Sequence, residues 1–173
     1  KSRELADSGY AERRQQCEEA AARLGVATLR DATLEMVEAQ RDALGDVLYR
    51  RARHVVTENA RTLAMPYALL KRDLSLAGAL INESHASLRD DYEVSIPEMD
   101  LMTELARSHP ACYGARIMGG GFGGSAVALV QAAGMEAFIA DTASAYRAQT
   151  GIDPEVYICR AAAGSSVERL QQA

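Results

Sequence analysis

The sequence predicts an α+β fold of one domain, with a helical section over about residues 1–110 and a smaller section of strands and helix over about 111–173. Two observations predict this fold. Before Pro110, apolar residues repeat at the three- and four-residue spacing of helices; after it, two short strand-like stretches flank a cluster of glycines. The 173 residues, 48% hydrophobic and 25% charged, are enough for one domain with a sizeable core.

Two helices are predicted in the first part of the chain. The first ends at Gly25, a residue suited to a helix C-cap, and carries a stripe formed by Cys17, Ala20, Ala21 and Leu24. The second covers "VLYRRARHVVTENARTLAM". Its predicted inner stripe is Leu48, Ala52, Val55, Asn59 and Leu63. Its predicted solvated side is Arg50, Arg53, His54, Glu58 and Arg61, with His54 spaced to pair with Glu58.

Two more helices complete the helical section. Asp73 can cap the first of them, and its shared face is formed by Leu74, Ala77, Ile81 and Leu88. The second covers "SIPEMDLMTELA". There Ser95 and Glu98 have the spacing of a capping box, and a proline in the first turn is tolerated.

The second section begins after Pro110. The stretches "CYGARIM" and "SAVALVQ" are predicted strands on either side of the glycines, and "EVYICRA" is a predicted final strand. Between them lies "GMEAFIADTASAYRAQTG", a predicted helix whose apolar face is Met135, Phe138, Ile139, Thr142 and Tyr146. Two strands, a helix and a strand form a small α+β layer.

Composition excludes several classes of function. The net charge of −5 argues against nucleic acid as a partner. No apolar run reaches the length of a membrane span and no secretory signal is present, so no membrane partner and a cytoplasmic location are expected. The three cysteines lack CxxC spacing, which indicates neither a metal site nor a disulfide framework. The chain opens at Lys1 rather than methionine and is expected to belong to a longer protein.

The segment Gly119–Gly124 contains five glycines, and Phe122 is its other residue. It matches G-x-G-x-x-G, but a dinucleotide site needs a helix next, and a strand follows here. A protein-kinase glycine loop needs a downstream lysine, and no lysine follows Lys71. Two explanations remain open. One is a tight turn packed against another element; the other is a concavity of backbone N–H groups for an anion.

Long stretches of the chain resemble one family of enzymes. "GARIMGGGFGGSAVALV" is similar to the third signature of the galactokinases, within the GHMP small-molecule kinases. "RARHVVTENARTLAM", "INESHASLRDDYEVSIPEMDLM" and "SGYAERRQQCEEAA" resemble three further galactokinase segments. The resemblance covers nearly the whole chain. It implies a GHMP-kinase C-terminal domain, with a ferredoxin-like antiparallel sheet and a substantial N-terminal helical section.

The resemblance also implies an activity. Galactokinases transfer the γ-phosphate of ATP, with Mg²⁺, to the 1-hydroxyl of galactose. Their N-terminal kinase domain, which carries the ATP phosphate loop and the catalytic aspartate and binds most of the ATP, is absent from this chain. The chain alone is therefore expected to be inactive and to hold no catalytic residue. Galactose and ATP are the expected partners of the whole protein.

Two site assignments come from the resemblance. Tyr10 occupies the position of a sugar-contacting tyrosine, and its phenol can donate and accept hydrogen bonds. The second assignment is an active-site loop beside the phosphate loop and the sugar, formed by Gly119, Gly120, Gly121, Phe122, Gly123 and Gly124. At Gly121 and Gly123 we expect positive φ and another element close against the backbone. Met118 departs from the threonine common in the family.

For one motif, and for the function of the whole protein, alternative interpretations remain open. "NESHASLRDDYE" brings His85, Arg89, Asp90 and Asp91 together in sequence, either as an acid/base cluster or as a solvated helix end that positions the glycine loop. The alternative function is a galactokinase-like sensor, which binds galactose and ATP and regulates a protein partner. A kinase for a neighbouring sugar such as N-acetylgalactosamine is a further alternative.

Overall fold

The computed structural model describes residues 3–162 and Gly164, and for residues 3–8 the backbone alone. Its helices are α1 (Arg3–Leu24), α2 (Leu34–Ala39), α3 (Arg41–Leu70), α4 (Leu74–Asp90), α5 (Pro97–Ser108) and α6 (Met135–Thr150). Its strands are β1 (Cys112–Met118) and β2 (Ser125–Val130), and short 3₁₀ turns span Leu29–Asp31 and Ala132–Gly134. The predicted section boundary near Pro110 falls between α5 and β1, whereas residues 163 and 165–173 lie outside the described part.

The helical core forms between α1 and α3, because their apolar stripes face each other. Its largest cluster of buried residues is Ala20, Ala21, Leu24, Leu29, Val37, Leu44, Leu48, Tyr49, Ala52 and Val56. The helix α3 is interrupted at Gly45, whose φ of 71° is outside the helical range. The structure thus buries the predicted stripe of α1 and the first half of the predicted stripe of α3.

The predicted stripe of α3 is wrong in its second half. Leu63 is 80% exposed, and His54, predicted on the solvated side, is only 5% exposed. The reason is that α4 packs on a second face of α3, so side chains outside the α1 stripe are also buried. The α3 residue Arg51 is buried for the same kind of reason, since it faces the segment after α4. A prediction of one buried stripe fails for a helix that packs against two other helices.

His54 has polar partners in its buried position. Its Nδ1 lies 2.9 Å from Ser87 Oγ, which in turn donates to Asp91 Oδ2 at 2.9 Å. Since the Ser87 proton points to the carboxylate, His54 Nδ1 is the donor of the first bond. The imidazole also stacks on the Tyr92 ring, with centroids 4.4 Å apart. Burial lowers the pKa of His54 to about 4.

We expect this histidine to make stability depend on pH. Between about pH 4 and 6.5 the unfolded chain protonates His54 and the folded chain does not, so its contribution is complete above pH 6.5 and is lost as pH falls towards 4. The full shift corresponds to a loss on the order of 3 kcal/mol. Urea unfolding of the full-length protein at several pH values measures the slope. His54→Gln should flatten it, and an unchanged slope would contradict the prediction.

The sheet is antiparallel, with Met118 opposite Ser125 next to the glycine loop and Cys112 opposite Val130 at the far end. Its two faces are covered by different helices because side chains alternate along β1. Ala115 and Ile117 pack towards α5 and α6, against Ala106, Phe138 and Met99. The opposite face, with Gly114, lies under α4.

The helix α4 lies directly on the backbone of β1. A Cβ on Gly78 would lie 2.0 Å from Tyr113 O, and a Cβ on Gly114 would lie 2.4 Å from Gly78 O. The Asn82 side chain accepts a hydrogen bond from Ala115 N at 3.0 Å. Two glycines therefore set the helix–strand distance, which holds β1 and its following loop in place.

Two local predictions are wrong. The predicted strand Glu155–Ala161 has no regular secondary structure, and Val156, Tyr157 and Ile158 are 48%, 77% and 60% exposed. Strand-favouring residues form a strand only where a partner backbone is present, and this segment has none in the described residues. The α5 capping box is also not formed, because Ile96 is the N-cap and the Ser95 hydroxyl donates to Asp100 instead.

Candidate functional site

The glycine loop joins β1 to β2 in a conformation that few residues adopt. Backbone φ is 79° at Gly119, 80° at Gly121, 124° at Gly123 and 90° at Gly124. Phe122 also has a positive φ, 59°, which is uncommon for a residue with a side chain. A two-residue hairpin needs at most two such positions. The glycines are thus required by the path of the backbone, and the loop is more than a minimal turn.

Phe122 anchors the loop on two sides. Its ring lies against Gly9 of α1, where a Cβ would lie 2.5 Å from the ring Cζ. The Arg13 guanidinium is 6.0 Å from the ring centroid. The backbone N–H of Phe122 donates to Val94 O at 2.7 Å. The loop is therefore held between α1 and the segment that precedes α5.

The expected close approach is found at Gly121. A Cβ there would lie 2.5 Å from Val94 O and 2.6 Å from Val94 Cβ. At Gly123 the nearest atom of the described residues is Ile96 Cδ1 at 3.7 Å, an ordinary contact, so within this chain only the positive φ requires glycine there. The element against Gly121 belongs to this chain's own α4–α5 connection. Contacts within this chain thus explain why a side chain is excluded at Gly121.

Tyr10 lies beside the glycine loop. It projects from α1 with 63% of its surface exposed, and a Cβ on Gly120 would lie 4.0 Å from Tyr10 Cδ2. The structure therefore brings together the two parts of the site that the sequence predicts separately. Tyr10 and the loop residues Gly119, Gly120 and Gly124 are all exposed among the described residues.

The segment 91–96, which we call the linker, begins with the last three residues of the "NESHASLRDDYE" motif, for which positioning of the glycine loop is one of the two predicted roles. It connects α4 to α5, and its carbonyls at Tyr92 and Glu93 accept from Arg13 Nε at 2.6 Å and Arg13 Nη2 at 3.1 Å. Spacing carried a signal for this arginine, because Arg13 precedes the predicted stripe residue Cys17 by four positions. No local pattern indicated which backbone it would contact.

The "NESHASLRDDYE" residues do not form one acid/base cluster. His85 is fully buried and lies 2.8 Å from Thr103 Oγ1 and 3.3 Å from Asp100 Oδ1. Burial, and secondarily the charge of Arg107, lower the pKa of His85. Asp91 is buried elsewhere, against Ser87 and Arg53.

Of His85, Arg89, Asp90 and Asp91, only Arg89 and Asp90 fit the prediction of a solvated helix end. They form an exposed ion pair. The prediction is wrong for His85 and Asp91 because both side chains point into packed helix interfaces. The motif ends in the linker, through which it contacts the glycine loop. It therefore serves as the architecture that seats the loop.

An ion pair joins β1 to the helices behind the site. Arg116 Nη1 donates to Glu58 Oε1 and to Ser84 Oγ at 2.7 and 2.6 Å, and Arg61 bonds the second Glu58 oxygen. Burial acts to raise the pKa of Glu58, but bonds from Ser84 and Arg61 and the charges of Arg116 and Arg61 together lower it. The ionised carboxylate ties β1 to α3 and α4.

Among residues 3–162 and Gly164, no group of three or more His, Cys, Asp and Glu side chains is placed to hold a metal ion. Within the same residues, no helix has the length and apolar character needed to cross a bilayer. The exposed groups of the described site are the Tyr10 phenol and the backbone of the glycine loop, both of which can form hydrogen bonds.

Comparison with known proteins identifies the family of the chain. The family described as GHMP kinases C terminal matches residues 65–157. A galactokinase of Roseiflexus sp. (strain RS-1) is 45% identical over 168 residues, covering 94% of this chain and 43% of that protein. The galactokinase of Homo sapiens is 52% identical over 128 residues, covering 74% of this chain and 33% of its own length.

A solved structure gives the same answer for the fold. The crystal structure of Lactococcus lactis galactokinase complexed with galactose superposes with a TM-score of 0.80 at 38% identity, covering 84% of this chain and 39% of that one. The chain thus spans less than half the length of these relatives. It belongs to the GHMP kinases, as their C-terminal domain, and is similar in sequence and fold to the galactokinases.

Proposed function

We propose that this chain is the C-terminal part of a protein that transfers the γ-phosphate of ATP to the 1-hydroxyl of galactose. The observation that carries the proposal is the exposed Tyr10 phenol beside the exposed edge of the glycine loop, in a chain 45% identical to a galactokinase over 168 residues. The relative solved with galactose supports the choice of sugar. The proposal includes a cytoplasmic location for the whole protein.

Phosphoryl transfer depends on positioning and on stabilising the charge of the transferring group, because the protein does little covalent chemistry. Tyr10 can orient the sugar by donating to one hydroxyl and accepting from another. The glycine loop leaves room for sugar and phosphate to approach its backbone, and its N–H groups can stabilise developing negative charge.

ATP is assigned mainly to the rest of the protein. Mg²⁺ bound to ATP supplies charge neutralisation on the phosphates. The described residues contain no group of three or more His, Cys, Asp and Glu side chains that could hold the ion. The proposed share of the chain is one wall of the site, formed by Tyr10 and the loop. The catalytic aspartate and the phosphate loop are assigned to the N-terminal domain.

The test is kinetic and uses the full-length protein. We expect galactose-dependent ADP formation, and Tyr10→Phe should lower kcat/KM for galactose by about 2- to 13-fold with ATP affinity nearly unchanged. A lost hydrogen bond to a neutral hydroxyl corresponds to about 0.5–1.5 kcal/mol. The matched control is Tyr67→Phe, since Tyr67 is 61% exposed on α3, away from the loop. Equal kinetics for both variants would contradict the sugar contact.

The same assay separates the alternatives. The 173-residue chain alone is the negative control and should form no ADP. Binding of galactose and ATP without turnover in the full-length protein would favour a sensor. A higher kcat/KM for N-acetylgalactosamine than for galactose would reassign the sugar.

A further inference from the structure

We propose that Glu93 is a positioning residue, which fixes the glycine loop by holding the linker against it. The inference rests on the proposed function for its kinetic consequence and on contacts within this chain for its structural one. The linker meets the loop through Val94, whose carbonyl accepts from Phe122 N at 2.7 Å and lies where a Gly121 side chain would be. A shift of Val94 therefore moves the loop.

Glu93 has an unusual backbone for its residue type. Its φ is 54°, in the left-handed region that glycine favours and that glutamate rarely adopts. Such a conformation persists where surrounding contacts determine it, and it concentrates at functional sites. Glu93 directly precedes Val94. A change in the φ of Glu93 would therefore reorient the Val94 carbonyl that accepts from Phe122 N.

Three arginines from two helices hold this segment, beside the backbone bond that Val94 N donates to Leu88 O at 3.0 Å. Glu93 Oε1 accepts from Arg50 Nη1 and Oε2 from Arg51 Nη2, each at 2.5 Å. Arg51 also donates to Asp91 O, and Arg13 donates to Glu93 O. The bonds from Arg50 and Arg51 lower the pKa of Glu93, so the carboxylate stays ionised.

The position of Glu93 favours a positioning role over a role in the core. Its side chain is 43% exposed, so removing it leaves no large cavity, whereas Arg51 at 2% exposure is part of the packed interior. Without the carboxylate, the bonds from Arg50 and Arg51 to Glu93 are lost, and only bonds to the linker backbone oppose a change of its unfavourable φ. A displacement of about 1 Å in an active site can lower the rate on the order of 100-fold.

The first experiment measures the loop without using activity. Amide hydrogen exchange in the full-length protein should be about tenfold faster over 119–124 in Glu93→Ala than in wild type, as expected if the Phe122–Val94 bond weakens by one factor of ten. Peptides from α6, residues 135–150, should exchange at the wild-type rate. The control is Asp46→Ala, which removes another partner of Arg50 and leaves the linker intact. Unchanged exchange over 119–124 would overturn the inference.

The second experiment measures catalysis. Glu93→Ala should lower kcat by about 10- to 100-fold with KM for galactose changed much less, because the loop is misplaced and Tyr10 is not. Glu93→Gly also removes the bonds to Arg50 and Arg51 but adopts positive φ without strain, so its loss of kcat should be smaller than that of Glu93→Ala. Wild-type kcat in both variants overturns a kinetic role. If wild type lacks galactose turnover but exchange responds to Glu93→Ala, the proposed function fails and the positioning inference stands.

Discussion

Gly78→Ala is expected to destabilise the full-length protein by about 2 kcal/mol, a large effect for the addition of one methyl group. Alanine is favoured over glycine in a helix by up to about 1 kcal/mol, which would stabilise α4. The added Cβ, however, would lie 2.0 Å from Tyr113 O and 2.5 Å from Tyr113 C. Both are backbone atoms that cannot rotate away, so α4 must move off β1. Overpacking of this kind typically costs about 1–3 kcal/mol and exceeds the helix preference.

Urea unfolding measures the effect, with soluble yield as a second readout if the variant does not fold. Gly120→Ala is the control for stability, because its added methyl carbon would have no neighbour closer than 4.0 Å. Gly114→Ala meets Gly78 O from the opposite side of the same interface. The double variant should therefore cost less than the sum of the two single variants. A Gly78→Ala protein as stable as wild type would show that the helix can shift at little cost.

The elements that the sequence predicts correctly are those specified locally. The helix α1 ends before Gly25 at positive φ, Asp73 caps α4 by accepting from Leu76 N, and α6 buries Phe138, Thr142 and Tyr146. Each is determined by side-chain spacing or by a cap within one or two helical turns. The antiparallel pair β1 and β2 is likewise determined by its connecting loop.

The failures at His54 and at residues 155–161 involve partners distant in sequence, whereas the failure at Ser95 is local. Burial of His54 depends on α4, some thirty residues later, and the segment Glu155–Ala161 has strand-like residues but no strand to pair with in the described chain. Ser95 donates to Asp100 rather than capping α5 at the predicted position. Periodicity indicates that a face is buried; it does not indicate how many elements cover it.

The predictions about the site also divide into local features, which the sequence indicates, and distant contacts, which it does not. Positive φ in the loop could be predicted, because only glycine adopts it freely, and Tyr10 could be assigned by resemblance. The individual contacts that support the loop could not be predicted. The bonds from Arg13 and Arg51 to the linker, and the contact of Phe122 with Gly9, join residues 40 or more positions apart. A single sequence contains no spacing signal for such contacts.

Gly121→Val is expected to lower turnover of the full-length protein by on the order of 100-fold, the largest effect on activity that we predict. The new side chain meets two obstacles. A β-branched residue at φ 80° costs on the order of 1–3 kcal/mol, and its Cβ would lie 2.5 Å from Val94 O. The loop must therefore move away from the linker, and a misplacement of about 1 Å accounts for a loss of this size. The measurements are kcat and the thermal midpoint on one purified sample.

Matched glycines separate loss of stability from loss of the site. Gly25 has a φ of 72° and open space around it, at the C-terminal end of α1. Gly25→Val should therefore lower the midpoint through the same backbone strain and leave kcat per folded molecule intact. Gly123→Val keeps the strain within the loop but faces Ile96 Cδ1 at 3.7 Å, so its loss of kcat should be smaller than that of Gly121→Val. If Gly121→Val lowers the midpoint and keeps kcat, as Gly25→Val is expected to do, the glycines serve only to turn and pack the chain.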